Sequence, residues 1–171
     1  MKIYVYPVLL LIICSLFIAC KKDMEYADNF HTSERVWSNF KASAGNSYSY
    51  MVTTGSWTGT VTETVLTVRN GQVVARSYVH KEREGTGPQL VVLAQWEENN
   101  TDLGSHQEGA KPFTLDDIYA QAKSDWLKKR GDAKTYFETL NGGMISLCGY
   151  VPDGCADDCF RGITIGYIRK L

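Results

Sequence analysis

The hexapeptide Val68-Arg69-Asn70-Gly71-Gln72-Val73 constrains the fold more than any other stretch of this chain. A two-residue type I′ turn needs positive φ at both central positions, which Asn and Gly adopt most readily. Its twist matches that of two antiparallel strands. The flanking runs, Thr60–Arg69 and Gln72–His80, are rich in Thr and Val, residues that fit a pleated, half-buried surface. The chain is thereby committed to an antiparallel sheet. Upstream, Tyr48, Tyr50 and Val52 alternate with smaller or polar residues, the period of a strand with one buried face. After a charged loop at 81–88, the run Gln89–Trp96 is almost continuously apolar, so it is expected to be a central strand. Three more strands are expected at Thr135–Leu140, Met144–Tyr150 and Gly162–Ile168, with Asn141-Gly142-Gly143 turning the first into the second.

Two helices complete the pattern. Residues 31–44 place Val36, Trp37 and Phe40 on one face. Thr32 or Ser33 is the expected cap, and Gly45-Asn46 the stop. The second helix is better specified. Thr114 and Asp117 have the spacing of a capping box, and Phe113 and Ile118 that of a hydrophobic staple. Leu115, Ile118, Ala122 and Trp126 fall on one face, with Tyr119 beside it. Asp116 and Asp117 lie at the positive end of the helix dipole and Lys128, Lys129 and Arg130 at the negative end. Gly131 is the expected C-terminal stop. The order α-β-β-β-β-α-β-β-β predicts an α+β fold: a single, mainly antiparallel sheet with both helices packed on one face. Residues 97–112 form a long polar loop, of a length that is often functional or mobile.

The N-terminus carries a different message. Lys2 precedes an apolar run from Ile3 to Ala19, broken by Ser15 and softened by Pro7 and two tyrosines, and the next charge is Lys21. That is the build of a secretory leader. A transmembrane anchor is the alternative, but Lys21 and Lys22 outweigh Lys2 and would hold the C-terminal part in the cytoplasm. Leu16-Phe17-Ile18-Ala19-Cys20 resembles the lipobox of bacterial lipoproteins, with Phe17 where that family prefers an aliphatic residue. The resemblance implies a signal peptide at 1–19, acylation of Cys20 and a polar tether at 20–30. The length left after processing suits a single α+β domain at 31–171, which the resemblance places at the bacterial cell envelope, held by its acyl chains. Lys21, Lys22, Asp23 and Glu25 resemble a surface-export signal of some Gram-negative bacteria, so the expected address is the outer membrane, on its periplasmic or surface face. The helix with Trp37, the Ser47–Tyr50 strand, the 68–73 hairpin and the helix opening Phe113-Thr114-Leu115-Asp116 are similar to a domain family of bacterial lipoproteins. The similarity spans residues 35–168. No activity is assigned to that family, so it implies a fold and a location without a chemistry.

The cysteines follow from the expected address. Cys14 would leave with the leader and Cys20 would be acylated, which leaves Cys148, Cys155 and Cys159 in a compartment where thiols oxidise. Chain entropy gives ~2 kcal/mol for closing Cys155–Cys159 and ~2.8 kcal/mol for Cys148–Cys159, too close to choose between them. The turn chemistry of Pro152-Asp153-Gly154 and the polar Asp157-Asp158 bend favour pairing Cys155 with Cys159. The spacing is C-x-x-x-C among carboxylates, which disfavours a redox pair. Zinc would need more N or S ligands nearby. Asp153, Asp157 and Asp158 offer calcium a start without the spacing of an EF-hand. A disulfide-stapled surface loop is the plainest reading.

Catalytic signatures are sparse. There is no HExxH, P-loop or dinucleotide fingerprint. Gly55-Ser56-Trp57-Thr58-Gly59 has its serine one place off a nucleophile elbow. His31, His80 and His106 are scattered. The formal net charge of −1 offers nucleic acid no basic surface. Tyr48, Tyr50, Tyr78, Trp57 and Trp96 form either an aromatic platform or a sheet face packed under a helix. The expectation is a non-catalytic binding or interaction module without a cofactor or a catalytic or metal site. Its partners are a membrane, through the lipid, and an envelope protein, small molecule or glycan. The alternatives are an envelope hydrolase with dispersed catalytic residues and an inhibitory or structural partner of another envelope protein.

Overall fold

The computed structural model describes residues 24–85 and 87–171. The expected leader, Cys14 and Cys20 lie outside the described residues. Helix α1 spans Ala27–Ser43. Strands follow at Tyr48–Gly55 (β1), Val61–Arg69 (β2), Gln72–Arg83 (β3) and Leu90–Asn99 (β4). Helix α2 spans Leu115–Gln121 and continues as a π-turn over Ala122–Trp126. Strands Ala133–Glu138 (β5), Leu147–Pro152 (β6) and Arg161–Lys170 (β7) complete the chain. The seven strands form one antiparallel sheet in the order β4-β3-β2-β1-β7-β6-β5. The fold class and element order are those read from the sequence.

The register explains how one face becomes the core. Tyr48 pairs with Val68, Tyr50 with Leu66 and Val52 with Thr64, so the alternating residues of both strands share the helix side. Asn70 and Gly71 take φ values of 50° and 80°, the positive pair that the hairpin required. Trp37 clamps the layers together. Its ring stacks on Tyr119 at 6.2 Å and meets Tyr48 edge-on at 5.0 Å, and its indole N–H donates to Asp116 Oδ1 at 2.9 Å. Ser33 and Tyr119 share a buried hydroxyl hydrogen bond of 2.7 Å, and the Leu115 amide donates to the Tyr48 phenol at 2.9 Å.

Four expectations are corrected. Helix α1 opens at Ala27, and Phe30 is buried in the core, so the folded part reaches back into the expected tether. Thr32 and Ser33 therefore lie inside the helix; a cap gives one hydrogen bond, whereas starting early buries an aromatic ring. Strand β4 is an edge strand, with Leu90, Val91, Val92 and Leu93 exposed. An apolar run specifies burial only when a second strand and a covering layer are present; β4 lacks the second strand throughout and the covering layer before Trp96. The stop at Gly131 gives way to one at Leu127.

The reason for that early stop is the π-turn. The Leu127 amide reaches back to the Ala122 carbonyl, five residues away, at 2.9 Å. A regular α-helix would set Trp126 over Ala122 on the core face. The wider turn inserts one residue, so Leu127 fills the core at 0 % exposure and Trp126 swings out to the side.

Candidate functional site

Trp126 swings into the wall of a cleft of about 370 Å³ on the helix side of the sheet. Tyr50, Val52 and Thr54 from β1, Thr62 from β2 and Tyr78 from β3 form the floor with Gly162 and Ile163 from β7. Ile118 and Trp126 stand on one side. Gly109, Ala110, Lys111 and Phe113, from the long loop after β4, stand on the other. The lining is mostly apolar and aromatic. Its polar groups are the Tyr78 phenol, the Thr54–Thr62 hydroxyl pair at 2.6 Å and the Lys111 ammonium. Apolar walls with a few converging polar groups are the usual build of a small-molecule site, and the volume lies near the lower end of that class. π-turns also recur at functional sites.

The long loop is strapped down by a buried ion pair. Arg76 on β3 faces Glu98 on β4, with side-chain exposures of 3 % and 0 %. The guanidinium donates to Glu98 through Nε at 2.9 Å and Nη2 at 2.8 Å. Nη1 and Nη2 also donate to the loop carbonyls of Ala110 and His106, each at 2.8 Å. Glu98 also accepts the amides of Gly104 and His106 at 2.7 Å each, the Ser105 hydroxyl at 3.2 Å and His106 Nδ1 at 3.0 Å. The Arg76 guanidinium holds the Glu98 carboxyl far below the usual carboxylate range, and the amides of Gly104 and His106 add to that against the opposing pull of burial. Above the pair, the His106 ring stacks on Trp96 at 4.4 Å, and Trp96 stacks on Tyr78 at 5.1 Å.

Gly109 brings the loop down onto the sheet. Its φ of 78° lies in the left-handed region, and a Cβ there would meet Thr64 Oγ1 and Tyr78 Cδ2 at 2.9 Å. The next residue seals the contact, since the Ala110 amide donates to Thr64 Oγ1 at 3.0 Å. The roof of the cleft is thus fixed by Arg76, Glu98, Gly109 and Thr64.

Ser105, His106 and Glu98 invite comparison with a catalytic relay, and the geometry opposes it. Ser105 Oγ and Glu98 Oε1 both approach the same ring nitrogen, Nδ1, at 3.3 and 3.0 Å. A relay needs the nucleophile on one nitrogen and the carboxylate on the other. His31 is exposed beside Glu34 at 3.4 Å. His80 sits on β3 opposite Thr62 and Ala94.

The expected disulfide is present: Cys155 and Cys159 are joined across a Cα separation of 6.3 Å. Cys148 is free and buried, and burial pushes its thiol up to about 12. Asp158 accepts the Ser56 hydroxyl at 3.0 Å, which ties the stapled loop to the β1–β2 turn. A hollow of about 550 Å³ lies between them, floored by Gly162 and Ile163 and flanked by Phe160. Among the described residues, no three His, Cys, Asp or Glu side chains gather to hold a metal ion. Thiol titration without reductant should find no reactive group among these three cysteines in the native protein and one after denaturation; three after denaturation would contradict the staple.

The aromatic set divides. Tyr48 and Tyr50 are buried in the core, Tyr78 and Trp96 lie beneath the loop, and Trp57 stands 79 % exposed. Trp126, Lys111 and Phe113 carry no sequence signal that marks them as cleft residues. Phe113 was visible only as half of a staple, and Trp126 follows the helical period until the π-turn breaks it. No family model matches the chain, and no match was found among curated proteins or solved structures.

Proposed function

We propose that this is a lipid-anchored protein of the bacterial cell envelope, held by acyl chains on Cys20, whose domain binds a small, largely apolar molecule in the cleft. The observation that carries the binding role is the pinned roof: a polar loop is fixed by a buried ion pair over a hollow with apolar and aromatic walls. Lys111 at the rim favours a ligand with an anionic or acceptor group at one end. The hydrolase alternative gains no support from Ser105, His106 and Glu98, whose hydrogen bonds are spent on holding the loop.

The test is titration with 8-anilinonaphthalene-1-sulfonate, an aromatic anion small enough for the cleft. Saturable one-to-one binding is expected. Trp126→Ala should weaken it about tenfold, the equivalent of 1.4 kcal/mol, while the variant still unfolds cooperatively. Equal binding by the variant, or no saturation, would refute the site.

A further inference from the structure

We infer that the domain docks on the lipid bilayer through one end of its sheet, where Trp57 and the Leu90–Leu93 run enter the interfacial layer. The inference rests on the lipid anchor proposed above and adds an orientation to it. The chain leaves the described fold at the same end of the sheet. Met24 forms an antiparallel bridge with Lys128, and the Glu25 amide donates to the Leu127 carbonyl at 2.8 Å. Those partners lie just before β5. Ala133 of β5 pairs with Pro152 of β6, and Tyr150 pairs with Arg161 of β7. The β1–β2 turn joins the same end, because Ser56 bonds Asp158. The β3–β4 turn joins it as well: Arg83 pairs with Leu90, and a Cβ on Gly59 would lie 2.9 Å from that of Arg83.

This end carries a cluster of apolar side chains that the core left out, whereas Leu140 and Leu171, also exposed, lie at the other end of the sheet. Trp57 is 79 % exposed at the tip of its turn, and Leu93 is 53 % exposed on the edge strand with Leu90, Val91 and Val92 beside it. Cys20 is four residues before Met24, so the tether reaches at most ~14 Å. A domain held that close beside β5 turns this end toward the membrane, and insertion of Trp57 and of β4 at the opposite sheet edge then lays the end flat on it. Tryptophan favours the bilayer interface, and an interfacial depth of ~5–10 Å accommodates these side chains while leaving the strand edge within reach of water. Charges at this end are mixed, with Arg83, Lys128, Lys129 and Arg161 against Glu82, Glu84, Asp157 and Asp158. Docking is therefore driven by apolar insertion and should persist in zwitterionic lipid. Edge-to-edge pairing with a second copy is disfavoured by the register irregularity between His80 and Lys81, which interrupts the ladder beside Leu93.

The experiment uses the full chain, produced in cells and reconstituted into phosphatidylcholine vesicles with brominated acyl chains. Tryptophan quenching reads docking, and the intact mass reads acylation of Cys20. The expected result is quenching of at least half of the Trp57 emission, identified as the component missing from Trp57→Phe, at low and high salt. Acylated protein that floats with the vesicles while Trp57 stays unquenched would overturn the docking and leave the anchor standing. Unacylated protein with unquenched Trp57 would overturn both. Quenching of an unacylated chain by added vesicles would uphold the docking while the anchor falls. Unquenched Trp57 in a chain that runs at twice its mass in mild detergent would assign the face to a second copy and overturn the docking.

Discussion

Glu98→Ala is expected to destabilise the domain by about 3–5 kcal/mol, because it strands the Arg76 guanidinium in a buried site. At ~2–4 °C per kcal/mol for a domain of this size, the melting temperature should fall by roughly 10 °C. The loss should appear first in the loop. The Gly104 and His106 amides, which donate to Glu98, should exchange with solvent far faster than those of β1. Replacing both partners with apolar residues, Arg76→Met with Glu98→Leu, should recover much of the stability without restoring the roof, because Ala110 and His106 still lose the donors to their carbonyls. Hydrogen exchange and calorimetry on the two variants separate the strap from the core. If Glu98→Ala melts within 2 °C of wild type, the ion pair does not hold the loop.

The same pair sets an acid limb. The Arg76 guanidinium lowers the folded-state pKa of Glu98 from 4.5. The unfolded state therefore binds the proton more readily, and the stabilisation is complete above the ordinary carboxyl value. It is lost as the pH falls below about 4.5 toward the folded value. Glu98→Gln should flatten that limb of the stability profile.

Trp37→Ala is expected to cost a similar ~3–5 kcal/mol by a different route, the loss of a large ring from a close-packed core. Trp37 touches Tyr48 on the sheet and Tyr119 on α2, so its removal loosens both helices from β1. Trp37→Phe keeps most of the packing and removes the hydrogen bond to Asp116; its cost should be nearer 1 kcal/mol. Chemical denaturation distinguishes the two. Equal costs would mean that the hydrogen bond, and not the ring, holds the layers.

What could be read from the sequence was local chemistry with a single outcome. Asn70-Gly71 admits few turns, and Thr114 with Asp117 makes both hydrogen bonds of the capping box. The alternation of Tyr48, Tyr50 and Val52 fixed one buried face of β1. The failures share a cause: each depended on what the rest of the chain supplies. Gln89–Trp96 has the composition of a central strand, but only the sheet order makes it an edge. Trp126 follows the helical period, but filling the core with Leu127 wins and turns it outward. Arg76 and Glu98 were invisible as a pair because they lie on separate strands and read as ordinary surface charges. Their burial is what turns the polar loop from an excursion into a roof.

The most direct test of the cleft as a binding site is an NMR titration of ¹⁵N-labelled protein with 8-anilinonaphthalene-1-sulfonate. A ligand held in the cleft should shift the Trp126 indole and the Ala110 and Lys111 amides along one saturating curve, with Leu90–Leu93 unmoved. Shifts concentrated at Leu90–Leu93 or at the stapled loop, with Trp126 and Ala110 silent, would contradict it.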